Sequence, residues 1–347
     1  MKKLLFIAVL LPGLAVAELK RTPSGHPDLS GVYDTGTLTP LNRPEYFGDK
    51  QYMTQEEADK LVAEAKALFD FANKESDPDR GAPVKGGDGN NRAGAGGVGG
   101  YNAFWIDRGE TANQIDGKFQ TSIIYDPANG RQPSRTPQAV GKLINVYQSF
   151  GHDNDGTASW LAKEGPGPFD GPESLAPSER CLISFGSTVP TLPSLYNNYK
   201  RIVQTDDTIM ILQEMVHDAR IIRMNAEHNP GTIRQWMGDS VGRWEGDTLV
   251  VHTKNFKSLN GLAGSDENLE VTERYTLQED GNILYDFTVN NPTAWTAPWS
   301  GNYTWSSKPG DKVFEYACHE GNYAMGNILR GARLLESEYT GPVAGQD

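Results

Sequence analysis

Residues 269–289 read LEVTERYTLQEDGNILYDFTV. Leu269, Val271, Tyr275 and Leu277 fall on one side of an extended chain, and Glu270, Thr272, Arg274 and Thr276 fall on the other. Asp280-Gly281 marks a tight turn, after which Ile283, Tyr285, Phe287 and Val289 resume the two-residue period. This is a hairpin with one buried face. Outward from it, strand-like runs at 200–205, 208–216, 219–224, 232–237, 242–245, 248–253 and 313–318 alternate with turn signals such as Asp206-Asp207 and Glu245-Gly246-Asp247. Many short strands at close spacing predict a mainly β protein whose antiparallel sheet curls into a barrel or sandwich. No alternating strand–helix pattern supports a doubly wound sheet.

The first half reads differently. Residues 18–53 are rich in Pro, Gly and Asp and read as an extended arm. From Thr54 to about Lys74 the spacing predicts an amphipathic helix that packs on the body. Thr54 and Glu57 form a capping box, with Ala58, Leu61, Val62, Ala65, Leu68 and Phe69 at helical intervals. A glycine-rich stretch, GAPVKGGDGNNRAGAGGVGG at 81–100, lacks the lysine and the βαβ setting of a nucleotide loop and reads as turning loop. A strand at 121–125 and a short helix near 138–148 precede another Gly/Pro-rich segment at 151–180. The organisation expected is a leader at 1–17, an arm, helix and cover at 18–198, a β body at 199–337 forming one unit with that cover, and a tail at 338–347.

MKKLLFIAVLLPGLAVA at the start has two lysines, an apolar run and a small-residue cleavage pattern, which together predict an export signal cut after Ala17. The expected location is the periplasm or the exterior, and no stretch is long and apolar enough to span a membrane. There Cys181 and Cys318 could form a disulfide, against the alternative of two buried free thiols. A net charge of -13 argues against nonspecific binding to nucleic acid or anionic lipid. Seven Trp, fourteen Tyr and twelve Phe supply a sizeable core. Oligomeric state is not readable.

Ionisable residues interrupt the apolar faces. In 209–221, Glu214, Asp218 and Arg220 share one face if the chain stays extended, with His217 on the other, and Arg220 could pair with Asp218 or Glu214. Glu273 breaks the inward face of its strand, where burial would raise its pKa, unless an interior Arg pairs with it. His319 and Glu320 stand at the expected end of the 313–318 strand. These side chains suggest proton transfer, since imidazole titrates near neutrality and displaced carboxyl groups act as acids or bases. Candidate catalytic residues are Glu214, His217, Asp218, Glu273, His319 and Glu320. Candidate substrate contacts are Arg220 as an oxyanion partner, Tyr316 and Asn322 as donors, and Trp295 and Trp299 as apolar walls. His217, His252 and His319 lack ligand spacing, so no metal site is expected, and the chemistry envisaged needs no cofactor. There is no G-x-S-x-G elbow.

Four runs carry a resemblance. They are PSGHPDLSGVY (Pro23 to Tyr33), residues 196–222, the run from Arg234 to Asn255, and YACHEGNYAMGNILRGAR near the C-terminus. Together they resemble a family of exported bacterial proteins. The resemblance implies an exported β-rich chain and carries no mechanism. The function expected is a periplasmic enzyme (a lyase, dehydratase or isomerase) acting on a small, largely apolar or aromatic molecule. The alternatives are a hydrolase using the same residues, a small-ligand carrier, or an envelope interaction protein.

Overall fold

The computed structural model describes residues 19–73, 79, 106–150, 156–184 and 186–345. The leader, the glycine-rich 81–100 stretch and residues 101–105 lie outside this set.

The body is a closed barrel of nine strands. They are β1 (Gly31–Asp34), β6 (Tyr199–Gln204), β7 (Thr208–Gln213), β8 (Ala219–Met224), β9 (Asp239–Glu245), β10 (Thr248–Lys254), β11 (Glu270–Leu277), β12 (Ile283–Asn290) and β13 (Trp299–Ser307). Pairing of β1 with β13 closes the ring, and β5 (Ile124–Asp126) adds to the outer side of β13. Closure leaves few unpaired strand edges. The expected barrel is present, with two differences. A strand from the N-terminal arm, β1, seals it. One pairing, β8 with β9, is parallel, because residues 225–238 carry the chain back along the barrel instead of turning tightly. The run at 232–237, expected as a strand, belongs to this crossover and makes a single bridge, Gln235 to Phe256.

The register stacks the core in layers. Leu277, Ile283 and Trp305 pair across three strands, as do Tyr275, Tyr285 and Tyr303, and then Glu273, Phe287 and Gly301. All except Leu277 and Gly301 are fully shielded from solvent. A Cβ on Gly301 would lie 2.7 Å from the Phe287 ring, so this position must stay glycine for the ring to pack. The interior is therefore filled with side chains, not hollowed into the aromatic-lined pocket the sequence suggested.

A small sheet of β2 (Tyr52–Met53), β3 (Gln114–Ile115) and β4 (Lys118–Gln120) stands apart. Helix α1 (Gln55–Ala72) begins at the Thr54–Glu57 capping box, as expected. Ala58 and Leu61 pack with Met53, Phe47 and Phe119, while Leu68 and Phe69 remain exposed. Helix α2 (Pro137–Phe150) matches the short helix expected there. Residues 313–317 are irregular, and the chain continues as α3 (Cys318–Gly321) and α4 (Tyr323–Glu338), so no strand forms at 313–318. Cys181 and Cys318 form a disulfide. Among the described residues no helix is long and apolar enough to cross a membrane.

Candidate functional site at the barrel mouth

Glu273 and Arg220 meet inside the barrel. Ile211 faces Arg220 across the β7–β8 pairing, which aims the arginine inward. Its guanidinium crosses β9 and β10 to β11. Nε donates to Ser240 Oγ at 2.9 Å, Nη2 to Thr253 Oγ1 at 2.7 Å, and Nη1 to Glu273 Oε1 at 2.9 Å, with a second bond from Nη2 to Glu273 Oε2. The Tyr285 and Tyr275 hydroxyls donate to Glu273 Oε1 at 2.7 and 3.0 Å. Burial, then the adjacent Glu273 charge, push both tyrosines well above their ordinary pKa, so they remain protonated donors. Glu273 Oε1 thus accepts three hydrogen bonds and Oε2 one. This matches the expected alternative of pairing with an interior arginine, and it differs from the expected Arg220 pairing with Asp218 or Glu214.

That expected pairing fails because the chain does not stay extended. Residues Met215–His217 form a tight, non-helical turn between β7 and β8. The turn takes Glu214, His217 and Asp218 out of the barrel wall to its mouth. Val216 sits at φ 62° and His217 at φ 42°. A left-handed β-branched residue is a conformational outlier that its surroundings must enforce, and such strain collects at functional sites. Two more left-handed residues, Asn197 and Cys181, lie in the segment that covers this mouth.

The covering segment, residues 181–184 and 186–198, reaches into the barrel at Thr191. Thr191 N–H donates to the Tyr285 hydroxyl at 2.9 Å, and Tyr303 donates to Thr191 O at 3.1 Å. Above this plug lies a polar cluster. Lys200, with only 1% of its surface exposed, donates from Nζ to Gln213 Oε1 at 3.1 Å and to Asn197 O. Asn197 Nδ2 donates to Ser184 Oγ at 2.9 Å and to Gln213 Oε1 at 3.3 Å, and Asn197 Oδ1 accepts Met215 N–H at 2.9 Å. Ser184 and Ser187 share a hydroxyl–hydroxyl bond, and Ser187 Oγ donates to Asp218 Oδ2 at 2.5 Å. A hydrogen-bonded chain thus runs from the lysine amine to the Asp218 carboxyl.

Both ends of that chain are displaced toward their neutral forms. Burial lowers Lys200 to about 7, against the opposing pull of Asp218 and Asp34. Burial raises Asp218, against hydrogen bonds from Ser187 and Ser184 and the charges of His217 and Lys200. Burial thus shifts the amine down and the carboxyl up, each toward its uncharged form.

The C-terminal segment borders the same mouth. Glu214 Oε2 accepts Phe314 N–H at 3.1 Å, and His217 Nδ1 lies 3.4 Å from Tyr316 O. His217 is exposed, as are Phe314, Tyr316 and Leu195, which gives the rim an apolar character. Asn322, expected as a substrate donor, instead caps α4, with Oδ1 accepting Met325 N–H and Nδ2 donating to Glu179 O at 2.7 Å. His319 and Glu320 are exposed on α3, beside the disulfide. Trp295 and Trp299, expected as substrate walls, are buried core residues packed edge to face. His252 lies on β10 with Nδ1 2.8 Å from His228 Nε2, remote in the fold from α3 and the mouth turn. Among the described residues, no three His, Cys, Asp or Glu side chains are placed to hold a metal ion.

The structure therefore gathers Glu214, His217, Asp218 and Tyr316 at the mouth and separates them from Glu273, Arg220, Trp295 and Trp299. Lys200, Ser184, Ser187, Asn197 and Gln213 were not singled out by sequence. A signal existed for two of them. Lys200 shares the inward period of Ile202, and Gln213 that of Ile209 and Ile211. No family model matches the chain, and no curated protein matches it.

Proposed function

We propose that this is an exported acid/base enzyme, a lyase, dehydratase or isomerase, working in the periplasm at the barrel mouth on a small, largely apolar or aromatic molecule. The observation that carries the reading is the hydrogen-bonded chain from a buried lysine held near 7 to a raised Asp218 carboxyl, set beneath a strained turn. Asp218 takes or returns the substrate proton. The exposed His217 beside it passes that proton to solvent. Lys200 touches no solvent and is a positioning residue, whose amine sets the charge felt by Asp218 through Gln213, Asn197 and the two serines. Glu214 holds the 314–316 segment over the turn. The apolar rim of Leu195, Phe314 and Tyr316 suits an aromatic substrate. The disulfide is compatible with an oxidising compartment.

The test is consumption of compounds from a pool of small aromatic acids, alcohols and esters, read by mass spectrometry. Wild-type protein is expected to consume at least one member, and Asp218→Asn to lose that activity while keeping its circular dichroism. Consumption that survives in Asp218→Asn would refute the assignment.

A further inference from the structure

A line of four titratable side chains takes no part at the mouth. Asp239, His228, His252 and Glu270 run outward from the barrel wall, with side chains 3, 14, 31 and 51% exposed. His228 Nδ1 lies 2.9 Å from Asp239 Oδ2, His228 Nε2 lies 2.8 Å from His252 Nδ1, and His252 Nε2 lies 3.9 Å from Glu270 Oε2. Asp239 begins β9, His252 stands on β10 and Glu270 begins β11, while His228 comes from the 225–238 crossover. None of residues 226–231 is buried. They are tied down by polar bonds: those of His228, two from Asn229 to Asp239, and one from Asn255 Nδ2 to Asn229 O at 2.9 Å.

The bonds along this line fix where each proton sits. Asp239 Oδ2 accepts Asn229 N–H at 2.8 Å, and Oδ1 accepts Asn229 Nδ2 at 3.0 Å and Arg223 Nη2 at 2.9 Å. Burial pushes the Asp239 carboxyl up, but the hydrogen bonds from Asn229, His228 and Arg223 outweigh burial and hold it below its ordinary value, so it is an ionised acceptor. His228 Nδ1 therefore carries the proton between them. In a neutral ring that leaves Nε2 a lone pair, and His252 Nδ1 must donate to it. A first added proton goes to His252 Nε2, at the exposed end beside Glu270, and the contact survives it. A second has only His228 Nε2 to occupy, and two N–H groups cannot face each other across 2.8 Å. The charged groups around the pair come from four strands. Arg223 on β8 bonds Asp239, and Arg243 on β9 also bonds Glu245. Burial lowers His252, helped by His228, Lys254 on β10 and Arg243, and opposed by Glu270 on β11.

We propose that the His228–His252 pair is an acid-triggered latch, which holds the crossover while the two rings carry at most one added proton and releases residues 226–231 when both rings are charged. The first proton tightens the latch, since a charged His252 is a stronger donor to His228 and faces Glu270. The second replaces an acceptor with a donor and opens it. The latch stands independently of the chemistry assigned to the mouth.

The test is hydrogen exchange of the Asn229 amide in the full protein, read by NMR and corrected for the intrinsic rate, from about pH 7.5 to about pH 4, across the ordinary imidazole value of about 6.5. Wild-type protection of this amide is expected to fall by about tenfold or more, while the β12 amides keep theirs. His252→Asn should stay protected throughout, because an amide can turn either its NH2 or its carbonyl toward His228. Wild-type protection that does not change with pH, an equal loss in His252→Asn, or an equal loss across β12 would each overturn the latch. Ring nitrogen shifts of the wild type give a second readout that needs no variant. At about pH 7.5 the expected His252 tautomer carries its proton on Nδ1, and a ring protonated on Nε2 alone would also overturn the assignment.

Discussion

Arg220 on β8 and Glu273 on β11 form a two-bond ion pair across the inside of the barrel, with both side chains almost wholly shielded from water. The pair ties together strands that are not neighbours in the sheet, with Ser240 and Thr253 from the intervening strands bonded to the same guanidinium. A buried charge left alone is far more costly than a pair removed together. Glu273→Leu alone is expected to destabilise the fold by about 3–5 kcal/mol. Combining it with Arg220→Met should recover part of that loss. Denaturant unfolding of both single variants and the double variant measures the coupling. Additive losses would mean that the two side chains do not depend on each other.

His217 occupies left-handed backbone yet is exposed, so its side chain does little packing. Glycine tolerates that backbone without the Cβ penalty. His217→Gly is therefore expected to change stability by less than about 1 kcal/mol, since relief of strain offsets the added freedom of the unfolded chain. Turnover should be lost. Thermal unfolding beside the consumption assay separates the two effects. Loss of folding in His217→Gly would assign the residue a structural role.

Lys200 gives stability a pH dependence of known sign. The unfolded chain keeps this lysine protonated to about 10.5, whereas the folded protein releases its proton near 7. Between those values the unfolded state binds the extra proton, so stability rises with pH, by up to about 1.4 kcal/mol per unit. Lys200→Met should flatten that slope between about pH 7 and 9. Equal slopes in both proteins would show the amine to be unshifted.

Asp266 acts in the acid range. Burial pushes its carboxyl up, but hydrogen bonds from Lys142, Thr293, Asn268 and Asn291 together outweigh burial and bring it down to about 2. A depressed carboxylate contributes stability above its unfolded value and loses it as pH falls through the folded one. About 2 kcal/mol is expected to disappear between roughly pH 4 and 2, and Asp266→Asn should lack this component. Acid titration of unfolding free energy checks it.

The hairpin of β11 and β12 was legible because alternation and an Asp-Gly turn are local signals. So were α1, through its capping box, and the inward placement of Glu273. The strand β13 carries an equally regular period, with Trp299, Gly301, Tyr303 and Trp305 alternating with polar residues, but Trp299 reads as a substrate wall when it is core. Helix α4 was hidden by Gly326 and Gly331, which weaken helical propensity along the chain. The mouth cluster was half legible. Glu214, His217 and Asp218 stand out in the strand that carries them, but their grouping with Lys200, Ser184 and Ser187 depends on the plug segment folding into the barrel, a contact between distant residues. Extrapolating the two-residue period through Met215–His217 puts Arg220 with Asp218, but the tight turn there resets which way every later side chain points.

Proton transfer at the mouth can be observed directly as isotope exchange. The pooled aromatic compounds are incubated in deuterated water with wild type, Asp218→Asn and Lys200→Met, and carbon-bound deuterium is read by mass spectrometry. The account predicts deuterium uptake into at least one compound with wild type, none with Asp218→Asn, and a slower rate with Lys200→Met. Carbon–deuterium incorporation that is equal in all three proteins, or absent from every compound, would contradict it.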